Sequence, residues 1–174
     1  VDQNSGKIFE VNTNKNNIAS LKSTIEDKWT KDKDSKVIFM AYRTSTVRKS
    51  TKITFNHVVP NIGSDMNGSS GTFTARIPGT YFFTFSAVTN AAVHKTDMYI
   101  QVLKNENQVF IIYDGNQSNG DERDDENNIN YSWILEMESG DTLSLRTGAY
   151  DASVLYGSSH QWTTLTGQLL LAKT

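Results

Sequence analysis

The chain has 174 residues, 37% of them hydrophobic, with 19 acidic against 17 basic side chains and no cysteine. This is enough apolar material for the core of one ordinary domain plus a short appendage. A formal charge of -2 and a pI near 5.9 exclude the clustered basic footprint of a nucleic-acid binder. The lack of cysteine excludes disulfides, thiolate zinc sites and cysteine nucleophiles, though it does not exclude secretion. No apolar run approaches the length of a membrane span.

Residues 1–10 are polar apart from Val1, Ile8 and Phe9 and read as a lead-in. From Val11 to Trp29 the periodicity is helical: Val11, Ile18, Leu21 and Ile25 fall on one heptad seam, shared with Asn14 and Lys28. Asn16 or Asn17 is a candidate N-cap. Two apolar heptads are too few to hold a helix alone, so the segment reads as an amphipathic helix or the stub of a coiled coil. Lys31–Lys36 (KDKDSK) reads as a charged hinge, which divides the chain into 1–35 and 36–174.

Beyond the hinge the period changes to two. Val37–Arg43 is apolar and aromatic, followed by a polar loop at Thr44–Ser50 and a short strand at Lys52–Phe55. A turn-rich loop is expected from Pro60 to Gly71. Thr72–Ile77 alternates, Pro78-Gly79 turns, and Tyr81, Phe83 and Phe85 recur at every second position, which puts three rings on one face of a strand. Asp97–Lys104 alternates Met98, Ile100 and Val102 with Tyr99, Gln101 and Leu103. Asn105-Glu106-Asn107 turns into Gln108–Tyr113. After an aperiodic gap at Asp114–Asn130 come Tyr131–Met137, a Ser139-Gly140-Asp141 turn, Thr142–Arg146 and a closing run at Thr163–Ala172. About ten short strands at this spacing indicate an all-β sandwich.

The spacing Phe55, Asn61, Met66, Phe73, Gly79, Tyr81, Phe83, Phe85 resembles the signature of the complement C1q globular-head family. Met66 stands where that family usually has Phe, Tyr, Trp or Leu, a substitution of one apolar packer for another. Glu138-Ser139-Gly140-Asp141 and Thr166-Gly167-Gln168-Leu169-Leu170 are similar to the family's last strands, except that Gln168 takes the place of an aromatic. Over residues 36–174 the resemblance implies a ten-stranded jelly-roll β-sandwich of the C1q and tumour-necrosis-factor type, assembled as a homotrimer.

Nothing in the chain assembles an enzyme. His57, His94 and His160 have no metal-binding spacing, and no nucleophile elbow or phosphate cradle is present. The segment Asp114–Asn128 (DGNQSNGDERDDENN) is the chemical outlier, with six carboxylates between Asp114 and Glu126. Hard oxygen donors of this kind suit Ca²⁺, although the spacing is not that of an EF-hand and a solvated acidic loop reads equally from the residues. The resemblance implies a calcium-proximal Asp at Asp114, while its second carboxylate falls near Asn127, an amide here; Asp121, Asp124 and Asp125 are supporting candidates from the acidic segment itself. Asn67, Asn116 and Asn130 head glycosylation sequons.

The resemblance implies a secreted, extracellular binding protein without enzymatic activity, lectin-like or pattern-recognising, acting on glycans or microbial surface patterns. Candidate ligand residues lie in the outer loops Arg43–Lys49, Ala91–Asp97 and Gly148–Gln161, with Tyr150, Tyr156 and His160 foremost and Trp162 read as a packing residue. The alternatives are a signalling or scaffolding head of the cerebellin or tumour-necrosis-factor kind, met by a protein receptor, and a calcium-associated matrix protein.

Overall fold

The computed structural model describes residues 3–47, 51–90, 98–114, 126–148, 154–157 and 160–173. The chain divides into two compact units, 1–36 and 37–174. The first is a single helix, α1 (Gln3–Asp34). It is longer at both ends than the period from Val11 to Trp29 suggested, so Asn16 and Asn17 are interior rather than capping, and most of the KDKDSK segment is helical. Lys and Glu are good helix formers even where no apolar stripe marks them, and Asn in a helix interior costs only roughly 0.7 kcal/mol relative to Ala. The seam residues Val11, Ile18, Leu21 and Ile25 are all exposed within this unit.

The second unit is a sandwich of two antiparallel sheets, with eleven strands among the described residues. In the first sheet β8 (Glu126–Met137) pairs along the whole of β5 (Gly79–Asn90). The other side of β5 takes β11 (Thr163–Ala172) and the short β10 (Val154–Leu155), and β1 (Ile38–Arg43) and β2 (His57–Ile62) follow from β11. The second sheet runs β3 (Met66–Asn67), β4 (Thr72–Thr74), β9 (Thr142–Thr147), β6 (Met98–Lys104), β7 (Asn107–Asp114).

Period-two burial builds the core. Tyr81, Phe83 and Phe85 are fully buried, as their alternation requires, while Phe82, Thr84 and Ser86 face away from the core. Phe73 of the second sheet joins the layers. It stacks on Phe39 at 5.2 Å and meets Phe83 and Tyr81 edge-on at 5.5 and 5.3 Å, geometries that aromatic quadrupoles favour. Met66 is buried in the same cluster and pairs with Phe73, so it fills the aromatic position as a packer. Asn61 closes the 61–66 turn. Its Nδ2 donates to the Met66 carbonyl at 3.0 Å, and its Oδ1 accepts from the Met66 N–H at 3.3 Å.

Two local expectations are corrected. Lys52–Phe55 is not a regular strand: Lys52 makes one isolated bridge to Arg146, and Phe55 N–H donates to Gly68 O at 2.8 Å. The expected loop from Pro60 to Gly71 contains the end of β2 and all of β3, because Pro is tolerated on an edge strand, where its missing N–H breaks no ladder. Leu103 alternates away from Met98, Ile100 and Val102 as expected and lies outside their core cluster, yet it is buried, paired with the buried Ser144 of β9. The register shift beside it is a β-bulge on β7, where Val109 is the extra residue.

The outer face of the first sheet carries an apolar row at right angles to its strands. Ile134 pairs with Phe82, Phe82 with Gln168, Gln168 with Ile38, and Ile38 with Ile62. Ile134, Ile38 and Ile62 are exposed. Rows on one side of it are polar: Thr84 and Ser132 share a hydrogen bond at 3.1 Å. A second exposed apolar strip runs along β7, with Val109, Ile111 and Tyr113 outward, and Tyr131, on the core side of β8, is exposed at the sheet edge. Phe110 packs beneath that strip, on Tyr131 at 5.8 Å and on Trp133 at 5.4 Å.

Candidate functional site

The sandwich positions one cluster of ligand candidates at the entry to β11. The β10 segment is held by a reciprocal bridge between Leu155 and Val47, with N–O distances of 3.1 and 3.0 Å. Tyr156 N–H then donates to Val88 O at 2.9 Å, and Thr163 Oγ1 donates to Tyr156 O at 2.7 Å. These bonds fix Tyr156 from both sides. Gln161 adopts a left-handed backbone (φ 59°), and its carbonyl accepts from Thr164 Oγ1 at 2.7 Å.

Trp162 is the hub of the cluster. Tyr156 meets it edge-on at 5.6 Å, and His160 stacks on it at 5.6 Å with an interplanar angle of 21°. Trp162 keeps 36% of its surface exposed, His160 is exposed and Tyr156 is half-buried. Thus two of the three foremost ligand residues, Tyr156 and His160, are brought together by Trp162, which the sequence favoured as a core or trimer contact. Tyr150 lies outside the described residues. Half-exposed rings beside hydroxyl, amide and imidazole groups offer an apolar platform with polar edges, which suits a ligand with one C–H face and several hydroxyls. His57 is elsewhere, stacked on Tyr42 at 4.7 Å; His94 lies outside the described residues.

The expected calcium residues are reached only in part. Asp114 closes β7, with its backbone paired to Met98. Asp121, Asp124 and Asp125 lie outside the described residues, and among those described no three His, Asp or Glu side chains gather around a point. Of the sequons, Asn67 and Asn130 are exposed on β3 and β8, and Asn116 lies outside the described residues. The Asn67 Oδ1 already accepts from Ser69 Oγ at 2.8 Å and from Ser70 N–H at 3.1 Å.

Two carboxyls of the described residues are shifted by their local surroundings. Asp141 is held at about 2, below its ordinary value, by hydrogen bonds from Asn105, the Glu138 N–H and Lys104. Burial raises Asp65 despite the Arg76 guanidinium beside it. The apolar row on the first sheet is barely visible in the sequence. Its trace there is one apolar residue at the second parity of three strands: Ile38 between Val37 and Phe39, Phe82 between Tyr81 and Phe83, and Ile134 between Trp133 and Leu135.

No helix among the described residues is long and apolar enough to cross a membrane. The C1q domain family model matches residues 38–170. Mouse complement C1q tumor necrosis factor-related protein 3 is 30% identical over 135 residues, covering 77% of this chain and 51% of the relative, and the human protein of that name matches to the same extent. The chain therefore spans about half the length of these curated relatives. In fold, the globular domain of zebrafish complement 1qA protein superposes with a TM-score of 0.60 at 17% identity, covering 79% of this chain and 99% of that one. Murine APRIL reaches 0.62 at 14% identity, covering 78% and 100%. With its signature residues placed in one core and the family model spanning nearly the whole sandwich, the chain belongs to the C1q domain family.

Proposed function

We propose that this chain is the recognition head of a secreted homotrimer that binds glycans on cell or microbial surfaces without chemical turnover. The observation that carries the reading is the half-exposed Tyr156–Trp162–His160 cluster at the entry to β11. One such cluster offers a weak site; three on one particle act together, and avidity exceeds the single-site affinity whenever the sites can be engaged at once.

Assembly is supported by the two apolar surfaces of the sandwich. The row Ile134, Phe82, Ile38, Ile62 and the strip along β7 are different patches on one unit. Two unlike patches suit a head-to-tail contact, which makes a ring when the rotation closes. Membership of the C1q domain family supports three as the number of chains. The seam of α1 would run parallel to its copies in that trimer, a minor contribution beside the sheet faces.

Calcium belongs to this proposal as an accessory. Asp114 would supply one oxygen, with Asp121, Asp124 and Asp125 as further donors. Its chemistry would be to neutralise three acidic segments held near one axis.

A glycan array probed with the full chain, with and without calcium, tests the function. Binding to a defined glycan class that falls in Trp162→Ala supports it. A silent array with a protein receptor recovered instead favours the second reading, a signalling head, which the similarity to C1q tumor necrosis factor-related protein 3 makes the natural alternative.

A further inference from the structure

A cleft of about 690 Å³ opens beside the end of β1, lined by Arg43, Thr54, Asn56, Val58, Asn67 and Ser69 among others. Its size is that of a small-ligand site, roughly 300–1,000 Å³. The floor is rigid. Phe55 N–H donates to Gly68 O, and a Cβ on Gly68 would lie 2.5 Å from Phe55 O, so only glycine lets these two segments close together.

Arg43 is fixed in place by backbone and hydroxyl oxygens. Its Nε donates to Ser45 O at 2.5 Å, and its Nη1 donates to Thr54 O at 3.0 Å and Thr54 Oγ1 at 2.5 Å. No ion pair to a described residue neutralises it, and Nη2 donates to none of them. The nearest acid in sequence to the lining, Asp65, is buried and paired with Arg76 at 3.3 Å. A guanidinium held by neutral acceptors keeps its full charge and a free edge of planar donors.

The amides around it have the same polarity. Asn56 Oδ1 accepts from Thr44 N–H at 3.0 Å, and its Nδ2 gives one hydrogen to Thr44 Oγ1. Asn67 Oδ1 accepts from Ser69 and Ser70, which leaves its Nδ2 to donate. The acceptors of both side chains are thus engaged locally, and each keeps donor capacity. Among the described residues no Asp or Glu lines the cleft. A wall rich in donors around an unneutralised cation calls for a ligand that brings acceptors and a negative charge. Val58, Phe55 and Met66 add an apolar strip to the same lining.

We infer that this cleft binds the carboxylate of an acidic sugar, with the carboxylate on Arg43, ring hydroxyls on Asn56 and Asn67, and a C–H face towards Val58. The inference deepens the glycan reading above and rests on it, by naming the ligand class and a second site. It also gives the Asn67 sequon a consequence: a glycan attached at Nδ2 would occupy the mouth of the cleft, so the test uses protein from a host that does not glycosylate.

The test is a titration of the isotope-labelled full chain, followed through the side-chain amides of Asn56 and Asn67 and the Gly68 N–H. Glucuronate, galacturonate and N-acetylneuraminate are the probes, with glucose as the neutral control and acetate as the carboxylate without a sugar. At least one acidic sugar should move these signals saturably, glucose should not, and acetate should bind more weakly than the sugar. Arg43→Gln should weaken binding about tenfold or more, the loss of one charge-assisted contact. Asn67→Asp keeps the acceptor for Ser69 and Ser70 but puts a negative charge in the lining; it should abolish binding with the melting temperature unchanged. That variant decides the matter if Arg43→Gln unfolds.

No response to any of the three acids, equal response to glucose, or acidic-sugar binding that survives Asn67→Asp would overturn the site. The two readings fail separately. Acidic sugars that move only the Tyr156, His160 and Trp162 signals leave the glycan function standing and remove the cleft. A saturable response in the cleft with no array binding by the trimer removes the multivalent reading instead.

Discussion

Phe83 on β5 stands opposite Gly167 on β11, and a Cβ at Gly167 would lie 2.8 Å from the Phe83 ring and 2.4 Å from the Phe39 ring. The two rings close over the glycine, so the missing side chain at 167 is part of the core's shape. Phe83→Ala should cost about 3–5 kcal/mol, because the ring is fully buried and its neighbours cannot collapse into the space. Gly167→Ala should cost about 1–3 kcal/mol by overpacking. The two changes should be less than additive when combined, and Phe39→Ala should rescue Gly167→Ala more than Phe83→Ala does, since Phe39 is the nearer ring. Denaturant unfolding of the single variants and the two double variants checks the order.

The part of the fold legible in the sequence was the part written in local periodicity. Tyr81, Phe83 and Phe85 could be assigned to the core because alternation in one strand decides which way its side chains point. The Asn105-Glu106 turn was equally plain, and both residues do take positive φ. What escaped was decided elsewhere in the chain. β2 carries Pro60 and Asn61, both turn residues, and only its place at a sheet edge makes them acceptable. Leu103 is buried on the side of β6 away from the core, and the bulge at Val109 on β7 beside it leaves no mark in the alternation. Among site residues, Tyr156 and His160 meet only through Trp162. The Arg43 cleft joins residues from three segments whose donors face outward only because their acceptors are taken.

Asp141 makes the unit acid-sensitive. It accepts from Asn105 Nδ2 at 2.7 Å and Glu138 N–H at 2.8 Å, and it pairs with Lys104 at 2.9 Å, tying the β6–β7 turn to the β8–β9 turn. Its carboxyl is depressed from 3.8 to about 2. A depressed acid stabilises the folded state above its unfolded value and loses that contribution as protonation sets in. The stability from Asp141 is therefore complete above the ordinary carboxyl range and lost as pH falls from about 3.8 to about 2. Asp141→Asn should lower stability by about 1–2 kcal/mol at neutral pH. Melts of the two proteins should converge at the bottom of that window. A constant gap at all pH values would mean that the side chain acts by shape and not by charge.

Calcium should stabilise the native chain by mass action, with a melting temperature that climbs with calcium concentration. Asp114 ends β7 and so leads directly into the acidic segment. Asp114→Asn should shrink the shift strongly; Asp121→Asn, Asp124→Asn and Asp125→Asn should each shrink it less. Magnesium should do less than calcium, because it demands tight octahedral geometry and dehydrates reluctantly. Scanning calorimetry in chelator and in millimolar calcium is the measurement, and superimposable traces would leave the segment a solvated charge run.

Assembly through the sheet face has a direct test in Ile134→Glu. Ile134 is 58% exposed in the isolated unit, so the change should alter the stability of a lone head by no more than about 0.5 kcal/mol. In a trimer that covers the row, the same change buries an unpaired carboxylate, which associating chains avoid by staying apart. Light scattering should therefore report three chains for the parent protein and one for Ile134→Glu, with similar circular dichroism. The opposite change is available in the same row. Gln168 is the one polar member between Phe82 and Ile38, and a polar residue in an apolar contact fixes register at a cost in stability. Gln168→Leu should accordingly tighten association and lower the concentration at which the trimer dissociates. A parent trimer unmoved by either substitution would shift the origin of assembly from the sheet face to the seam of Val11, Ile18, Leu21 and Ile25 on α1, where Leu21→Asp would then be the change that separates the chains.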